Sequence, residues 1–388
     1  MKHWDLIVVG GGAVGSNVLR AAAESGARAL GLEQFTPAST RGSSHGHSRI
    51  FRHAYFEHPE YVPLLRHSTA RFESLEIESG EPLLNRCGML VMGPPGSETV
   101  RGSLESAKRW SLDVDSLDEP TIQRRFPWFD VPAGTIGAFE ADAGVVRPEA
   151  AVHAALRVAE SRGVALRNGT FVREVIEDAT GVTVRTAEGS ERATAVVIAA
   201  GPWAARLLPE LAPLLRVTRQ VQAWLAPASG PDPGAMPCWL YDRGPDRLAI
   251  YGLAPDPAAR AGGDRATSPA GHPKLGLHGS DEAVDPDLGA RPVDSRDIEL
   301  IRDALGACAP RLAGELVEAS TCLYTMSPDG HFIVGARHGS SRVHFAAGLS
   351  GHGFKLGPAL GDALADRALS GRTRLPVEFL SPKRFATP

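Results

Sequence analysis

Asp5-Leu6-Ile7-Val8-Val9-Gly10-Gly11-Gly12-Ala13-Val14-Gly15 is the stretch that decides how the chain is organised. Its first five residues form a short apolar run of the kind buried on both faces in a parallel sheet. Gly10, Gly12 and Gly15 then satisfy G-x-G-x-x-G. From Val14 to Glu24 small and apolar residues recur at helical spacing, and Gly26 stands where a helix places its C′ residue. Ala29-Leu30-Gly31-Leu32 reads as a second strand ending at Glu33. Together these pieces make a βαβ unit. One glycine forms the tight turn, the next lets the backbone approach a pyrophosphate, and the third lets helix and strand pack closely. The helix N-terminus adds unpaired N–H groups and partial positive charge. Glu33 ends the second strand, where a carboxylate accepts hydrogen bonds from ribose hydroxyls. The unit therefore reads as a dinucleotide site.

Two later segments look like further pieces of the same sheet. Ala195-Val196-Val197-Ile198-Ala199-Ala200 is a buried strand ended by Gly201-Pro202-Trp203. Val343-His344-Phe345-Ala346-Ala347 is another. It runs into Gly348-Leu349-Ser350-Gly351-His352-Gly353, then a helix from about Gly357 to Leu369 closed by Gly371. Sheet pieces near the start, middle and end imply a discontinuous nucleotide domain. A motif that starts at residue 10 in a sheet interrupted by a large insertion is commoner with FAD than with NAD. The class expected is α/β. A Rossmann-like FAD-binding domain would comprise 1–84, 146–214 and 322–388. A second, α+β substrate domain on a mostly antiparallel sheet would comprise 85–145 and 215–321. Residues 252–292 are dominated by Gly, Pro, Ala and Asp, with Pro255, Pro257, Pro269, Pro273, Pro286 and Pro292 among them. That composition predicts a long surface loop, a lid or a partly disordered insertion.

Composition sets outer limits. At 388 residues the chain is long enough for two domains. A formal net charge of −4 offers no basic excess for nucleic acid or anionic lipid. No apolar run approaches the length of a membrane span. Met1-Lys2-His3 leads almost directly into a strand, without the pattern of a secretory signal, and Phe385-Ala386-Thr387-Pro388 carries no peroxisomal or retention address. Cys87, Cys238, Cys308 and Cys322 include no C-x-x-C pair and are too sparse for a disulfide scaffold. A reducing, cytoplasmic setting fits. His45 and His47 form an H-x-H pair, but no Cys or carboxylate accompanies them at ligand spacing, so no metal site is expected.

Three further blocks carry a resemblance. They are Gly42-Ser43-Ser44-His45-Gly46-His47-Ser48-Arg49-Ile50-Phe51-Arg52-His53-Ala54-Tyr55 with Tyr61-Val62-Pro63-Leu64; Thr321-Cys322-Leu323-Tyr324-Thr325 with Asp329, His331 and Phe332; and Gly348-Leu349-Ser350-Gly351-His352-Gly353-Phe354-Lys355. With the βαβ unit, they make the chain resemble the monomeric sarcosine oxidase and N-methyltryptophan oxidase family, FAD-dependent amine oxidases of the D-amino acid oxidase superfamily. The similarity runs nearly end to end. The chain departs from the family at Ser44, where the family has His, and at His47, where it has Asp. It also departs in the Gly/Pro-rich insertion between Tyr251 and Lys274.

The resemblance implies an oxidase of secondary amino acids, N-methyl or cyclic, that yields an imine and hydrogen peroxide. Its partners would be a small amino acid and molecular oxygen, and the protein a monomer. It implies that Cys322 holds FAD covalently, and that Arg52 and Lys355 bind the substrate carboxylate. It places His45 and Arg49 beside the flavin ring, Lys274 as the residue that activates oxygen, and Tyr251 and His278 in the substrate pocket. Val14, Gly42, Ser43, Ser48, Val172, Gly201, Trp203, Gly351, Gly353 and Phe354 are implied as further cofactor contacts, with Gly351 also facing substrate. Two other readings stand beside this one. One is a dehydrogenase of the same fold that passes electrons to a carrier, against which Lys274 argues. The other is a flavin-binding assembly protein without turnover, against which the joint presence of Arg52, Lys355 and Cys322 argues.

Overall fold

In the computed structural model, which describes residues 3–261 and 268–385, the sheet that begins with His3–Val9 organises the nucleotide half. His3–Val9 pairs in parallel with Ala29–Leu32 on one side and Ser190–Ile198 on the other. Ala165–Arg167 extends one edge in parallel. Val343–Ala347 joins Ser190–Ile198, also in parallel, so chain ends and middle meet as their apolar runs predict. The hairpin Val172–Asp178 with Gly181–Thr186 adds an antiparallel flank.

The helix Ala13–Glu24 packs against the helices Pro148–Ser161 and Gly357–Ser370. Close approach requires small residues at two crossings. A Cβ on Gly361 would lie 2.5 Å from Asn17 Cβ, and one on Gly357 would lie 2.6 Å from Ala13 O. The apolar face so buried includes Leu6, Val8, Val18, Leu19 and Leu360.

A second sheet forms the other half, in the order Leu316–Met326, Arg216–Leu225, Lys274–Leu277, Ile250–Leu253, Cys238–Tyr241, Met89–Gly93, Ile136–Glu140, Asp115–Asp118. Its pairs are antiparallel except Cys238–Tyr241 with Met89–Gly93. A small sheet of Arg49–Phe51, Gly144–Val146 and Leu84–Asn85 lies apart from both. Leu316–Met326 belongs to the second sheet along its whole length, so the division expected at 321/322 falls inside a strand.

The surface loop expected across 252–292 forms only in part, because two strands of the second sheet interrupt it. Gly252 and Leu253 complete one interior strand, and Lys274–Leu277 make the next, with Leu253 opposite Lys274 and Tyr251 opposite Gly276. The excursion between them and the stretch 278–292, which touches the sheet at the single bridge of Ala283 to Thr218, lie outside the strands, and residues 262–267 lie outside the described residues. The Gly/Pro content hid a four-residue strand whose pairing on both sides, with Ala223–Trp224 and with Ile250–Leu253, supplies what local propensity lacks. Among the described residues no helix is long and apolar enough to cross a membrane.

Candidate active site

One continuous cavity runs from the glycine turn at Gly10 to Lys355 and Tyr251, between the two large sheets. Each motif glycine does a separate job. Gly10 has φ +102°, and a Cβ there would lie 2.4 Å from Ala199 O. A Cβ on Gly15 would lie 1.8 Å from Gly10 O, so helix and strand touch only because it is absent. Gly12 is different, for a Cβ there would meet only Ser44 Oγ, at 3.2 Å, on the cavity side. Gly12 is also the N-cap of a helix whose first N–H, at Ala13, donates to Ser44 Oγ at 3.1 Å, while Gly12 itself has no side chain to cap the N–H groups that follow. Glu33 holds the turn: its carboxylate accepts from Gly11 N at 2.7 Å and Phe35 N at 2.9 Å.

Arg49 occupies the centre. Its guanidinium donates to Ser43 O at 3.1 Å, Ser48 O at 2.9 Å, Gln222 Oε1 at 3.1 Å and Cys322 Sγ at 3.4 Å. Cys322 is buried on the strand Leu316–Met326, with positive charge beside its sulfur.

Lys274 is buried, 2 % exposed. Its Nζ donates to Gly46 O at 3.0 Å, to Gln222 Oε1 at 3.2 Å and to Ser48 O. Both carbonyls come from a turn in which Gly46 and His47 have φ +101° and +64°. Glu149 Oε1 accepts the turn's N–H groups at Gly46, 2.5 Å, and His47, 3.1 Å. Burial, then Arg49, pulls the Lys274 pKa well below the usual lysine value. Three acceptors nevertheless call for three N–H bonds, which the ammonium alone provides.

Arg52 and Lys355 converge at the far end. Arg52 Nη1 donates to Ala54 O at 2.7 Å, and its Nη2 reaches both carboxylate oxygens of Glu57, at 2.9 and 2.7 Å. It lies over the rings of Tyr55 and Phe56, at 4.3 and 4.2 Å. Lys355 Nζ donates to His352 O at 2.9 Å and sits 5.1 Å above the Tyr55 ring. Burial, then Arg52, lowers the Lys355 pKa to about 7, against an opposing pull from Glu57. Burial would raise Glu57, but Arg52, His352 and Lys355 hold it at about 2.

Tyr251, His278 and Tyr324 form a neutral wall. Tyr324 Oη lies 3.4 Å from His278 Nδ1, and burial lowers the His278 pKa and raises that of Tyr251 to about 12. Gly351, with φ +80°, passes beneath the Tyr324 ring, where a Cβ would lie 2.2 Å from Cε2.

The other residues nominated from sequence fall into place around this line. Val14, Gly42, Ser43, Ser48, Val172, Gly201, Trp203, Gly353 and Phe354 all line the cavity. Gly15 and His45 do not. For Gly15 that follows from its packing role. His45 is buried, with burial and then Arg49 lowering its pKa to about 4, and its Nε2 has no hydrogen-bond partner. Among the described residues no three His, Cys, Asp or Glu side chains come together as a metal site.

Glu57, Gln222, His352 and Tyr324 were not assigned roles from sequence, yet all four line the cavity. Gln222 had a readable signal. Thr218, Gln220 and Gln222 alternate on one face of a strand and are all at least 98 % buried. Buried polar residues at period two mark a face that binds something. Gln222 Nε2 is buried without a hydrogen-bond partner, which is what a site for a polar group looks like from the protein side.

Comparison with known proteins agrees with this geometry. The sequence pattern of the FAD dependent oxidoreductase family matches residues 5–367. The chain belongs to that family. FAD is thus the cofactor this oxidoreductase uses, and the helix N-terminus, the Gly12 opening and the unpartnered Gln222 Nε2 fit a large polar group lying along the cavity. The oxidoreductase is 36% identical to monomeric sarcosine oxidase from Streptomyces avermitilis, over 99% of this chain and 98% of that one. It is 33% identical to N-methyl-L-tryptophan oxidase from Salmonella dublin, over the full length of both. Among solved structures it resembles NikD, an unusual amino acid oxidase essential for nikkomycin biosynthesis, with TM-score 0.83 and 26% identity over 98% of each chain.

Proposed function

We propose that this flavoprotein oxidises secondary amino acids, N-methyl or cyclic, with molecular oxygen as acceptor. The observation that carries the reading is the buried Arg52–Lys355 pair at the end of a cavity that begins at a dinucleotide cradle. Glu57 balances one of these two buried cations, and a substrate carboxylate balances the other, with charged hydrogen bonds from Arg52 and a point charge at Lys355. The chemistry FAD supplies when bound is two-electron acceptance from the carbon beside the amine, leaving an imine for water to hydrolyse.

The chain's residues provide placement and charge. Glycines 10 and 12, the helix at Ala13 and Glu33 would hold the dinucleotide portion. Ser43, Arg49 and Lys274 would line the ring system, and Cys322 would attach it through a thioether. Two carboxylates line the cavity among the described residues. Glu33 is held by two backbone N–H groups and Glu57 by Arg52. Neither is left to fix the substrate nitrogen as an ammonium, so the neutral wall of Tyr251, His278 and Tyr324 favours entry as the free amine that the oxidation requires. A peroxide-coupled screen of N-methyl and cyclic amino acids on the purified holoprotein tests the function. Peroxide release with none of them above the buffer rate would overturn it.

Attachment is checked separately. After acid denaturation and centrifugation the yellow colour should stay with the wild-type pellet, and Cys322→Ala should release it to the supernatant. Colour wholly in the wild-type supernatant sinks the thioether assignment.

The lowered Lys355 pKa gives a signed pH dependence. Below about pH 7 Lys355 is already protonated in the free protein, and an anion gains its full attraction. Above that pH the bound anion must draw a proton onto Lys355, so affinity falls with rising pH by up to tenfold per unit. His278 and His352, both lowered by burial, stay neutral across this window. Titration with a carboxylate that lacks an oxidisable amine should show Kd flat below pH 7 and rising above it. Lys355→Met should flatten the curve at the weaker level.

A further inference from the structure

Two thiols outside the cavity meet in a way that neither the fold nor the amine chemistry requires. Cys87 Sγ and Cys238 Sγ lie 3.8 Å apart, at hydrogen-bonding distance for sulfur. They come from positions 151 residues apart in sequence. Cys238 begins the strand that pairs with Met89–Gly93, and its N–H donates to Gly88 O at 3.0 Å, which fixes the two backbones side by side. Cys238 is fully buried, whereas Cys87 is half-buried and reachable from solvent. A disulfide needs about 2.05 Å between sulfurs and neighbouring backbones already within reach. Small side-chain rotations close the remaining gap.

We propose that Cys87 and Cys238 are a dithiol that hydrogen peroxide oxidises to a disulfide, with Cys87 attacked first and Cys238 resolving. The source of the oxidant rests on the oxidase reading, in which peroxide is made by this same protein. The Cys87 thiolate attacks one peroxide oxygen, the O–O bond breaks, and hydroxide leaves and takes a proton to become water. The sulfenic acid so formed is attacked by the Cys238 sulfur. The S–S bond forms, the S–O bond breaks, and the departing hydroxide takes the Cys238 proton. Two thiols lose two electrons, one peroxide gains them, and two waters result.

The electrostatics assign the order. The thiol hydrogen bond from Cys238 lowers the Cys87 pKa, and burial, followed by the same contact, raises that of Cys238. The less buried thiol is thus the one whose ionisation is favoured, as a peroxide-reactive cysteine needs, and a resolving thiol stands next to it. Cys308 provides an internal control, since it is buried, has no thiol partner, and burial pushes its pKa to about 12.

The test uses the holoenzyme without substrate, so it does not depend on turnover. Added peroxide is removed with catalase, free thiols are alkylated, and peptides are mapped by mass. Wild type should lose two alkylatable thiols and show a Cys87–Cys238 cross-linked peptide that dithiothreitol abolishes, with Cys308 unchanged. Cys87→Ser should slow loss of the Cys238 thiol at least tenfold. Cys238→Ala should divert Cys87 to sulfinic acid. A wild-type protein in which Cys238 remains fully alkylatable after Cys87 has been oxidised overturns the proposal, as does loss of Cys308 at the same rate. Failure to release peroxide with any amine would overturn the oxidase reading instead and leave this result standing.

Discussion

Lys274→Met should slow the oxidative half-reaction about a hundredfold or more, while anaerobic reduction by substrate changes far less. Oxygen arrives neutral and acquires negative charge as it is reduced. A fixed ammonium therefore stabilises the transition state more than the ground state, which is the condition for catalysis. The setting of Lys274 suits that task. Its carbonyl partners from Gly46 and Ser48 hold it in place, and the turn that aims them is locked by Glu149. Because burial and Arg49 depress its pKa, the oxidative half-reaction should also weaken with rising pH well before a solvent lysine would lose its proton. Stopped-flow absorbance resolves the two half-reactions. Unchanged reoxidation in Lys274→Met would move the role to another cation, Arg49 being next.

The second large effect falls on the carboxylate pair. Arg52→Gln and Lys355→Gln should each lower kcat/KM by about 2–4 kcal/mol, or roughly thirty- to a thousandfold. Glu57 refines this expectation. It already holds Nη2 of Arg52 while Ala54 O holds Nη1, so a substrate carboxylate gains the Arg52 fork only as these partners give it up. Arg52→Gln consequently removes a partner from two carboxylates, and it should cost stability as well, by leaving Glu57 buried without its main counter-charge. Comparing the best substrate with its amide separates the effects, since wild type should prefer the acid and the variants should not. A wild type indifferent to the charge removes the clamp from the reading.

What could be read before the structure was whatever ties chemistry to local spacing. Gly10, Gly12, Gly15 and Glu33 were legible because a pyrophosphate cradle constrains consecutive backbone, and their three different steric environments match the three jobs assigned to them. Lys274 was legible as a residue but not as a strand, for Lys-Leu-Gly-Leu inside a Gly/Pro-rich stretch gains its order only from neighbours on either side. Glu57 was not legible. Nothing in its spacing from Arg52 shows that both turn into the same cavity. Gln222 stood between these cases, carrying a polar period of two that marked a face without naming its ligand. His45 sits in a motif yet is not among the residues that line the cavity, for a resemblance transfers residue types more securely than orientations.

The second sheet draws its strands from three stretches of chain that are far apart in sequence, and its longest pairing joins Arg216–Leu225 to Leu316–Met326. On a ribosome that arrangement imposes a schedule. The strand Met89–Gly93 emerges early but waits for Cys238–Tyr241, and the edge of Arg216–Leu225 stays open until residue 326 has been made. The parallel sheet waits as well, since Ser190–Ile198 lacks its neighbour until Val343–Ala347 appears. The second sheet is complete at residue 326 and the parallel sheet only at 347, so the nascent chain carries unpaired edges through most of its synthesis, the state that chaperones shield. Slower folding and larger losses to aggregation when expression is fast are the cost of building one cavity between two interleaved halves.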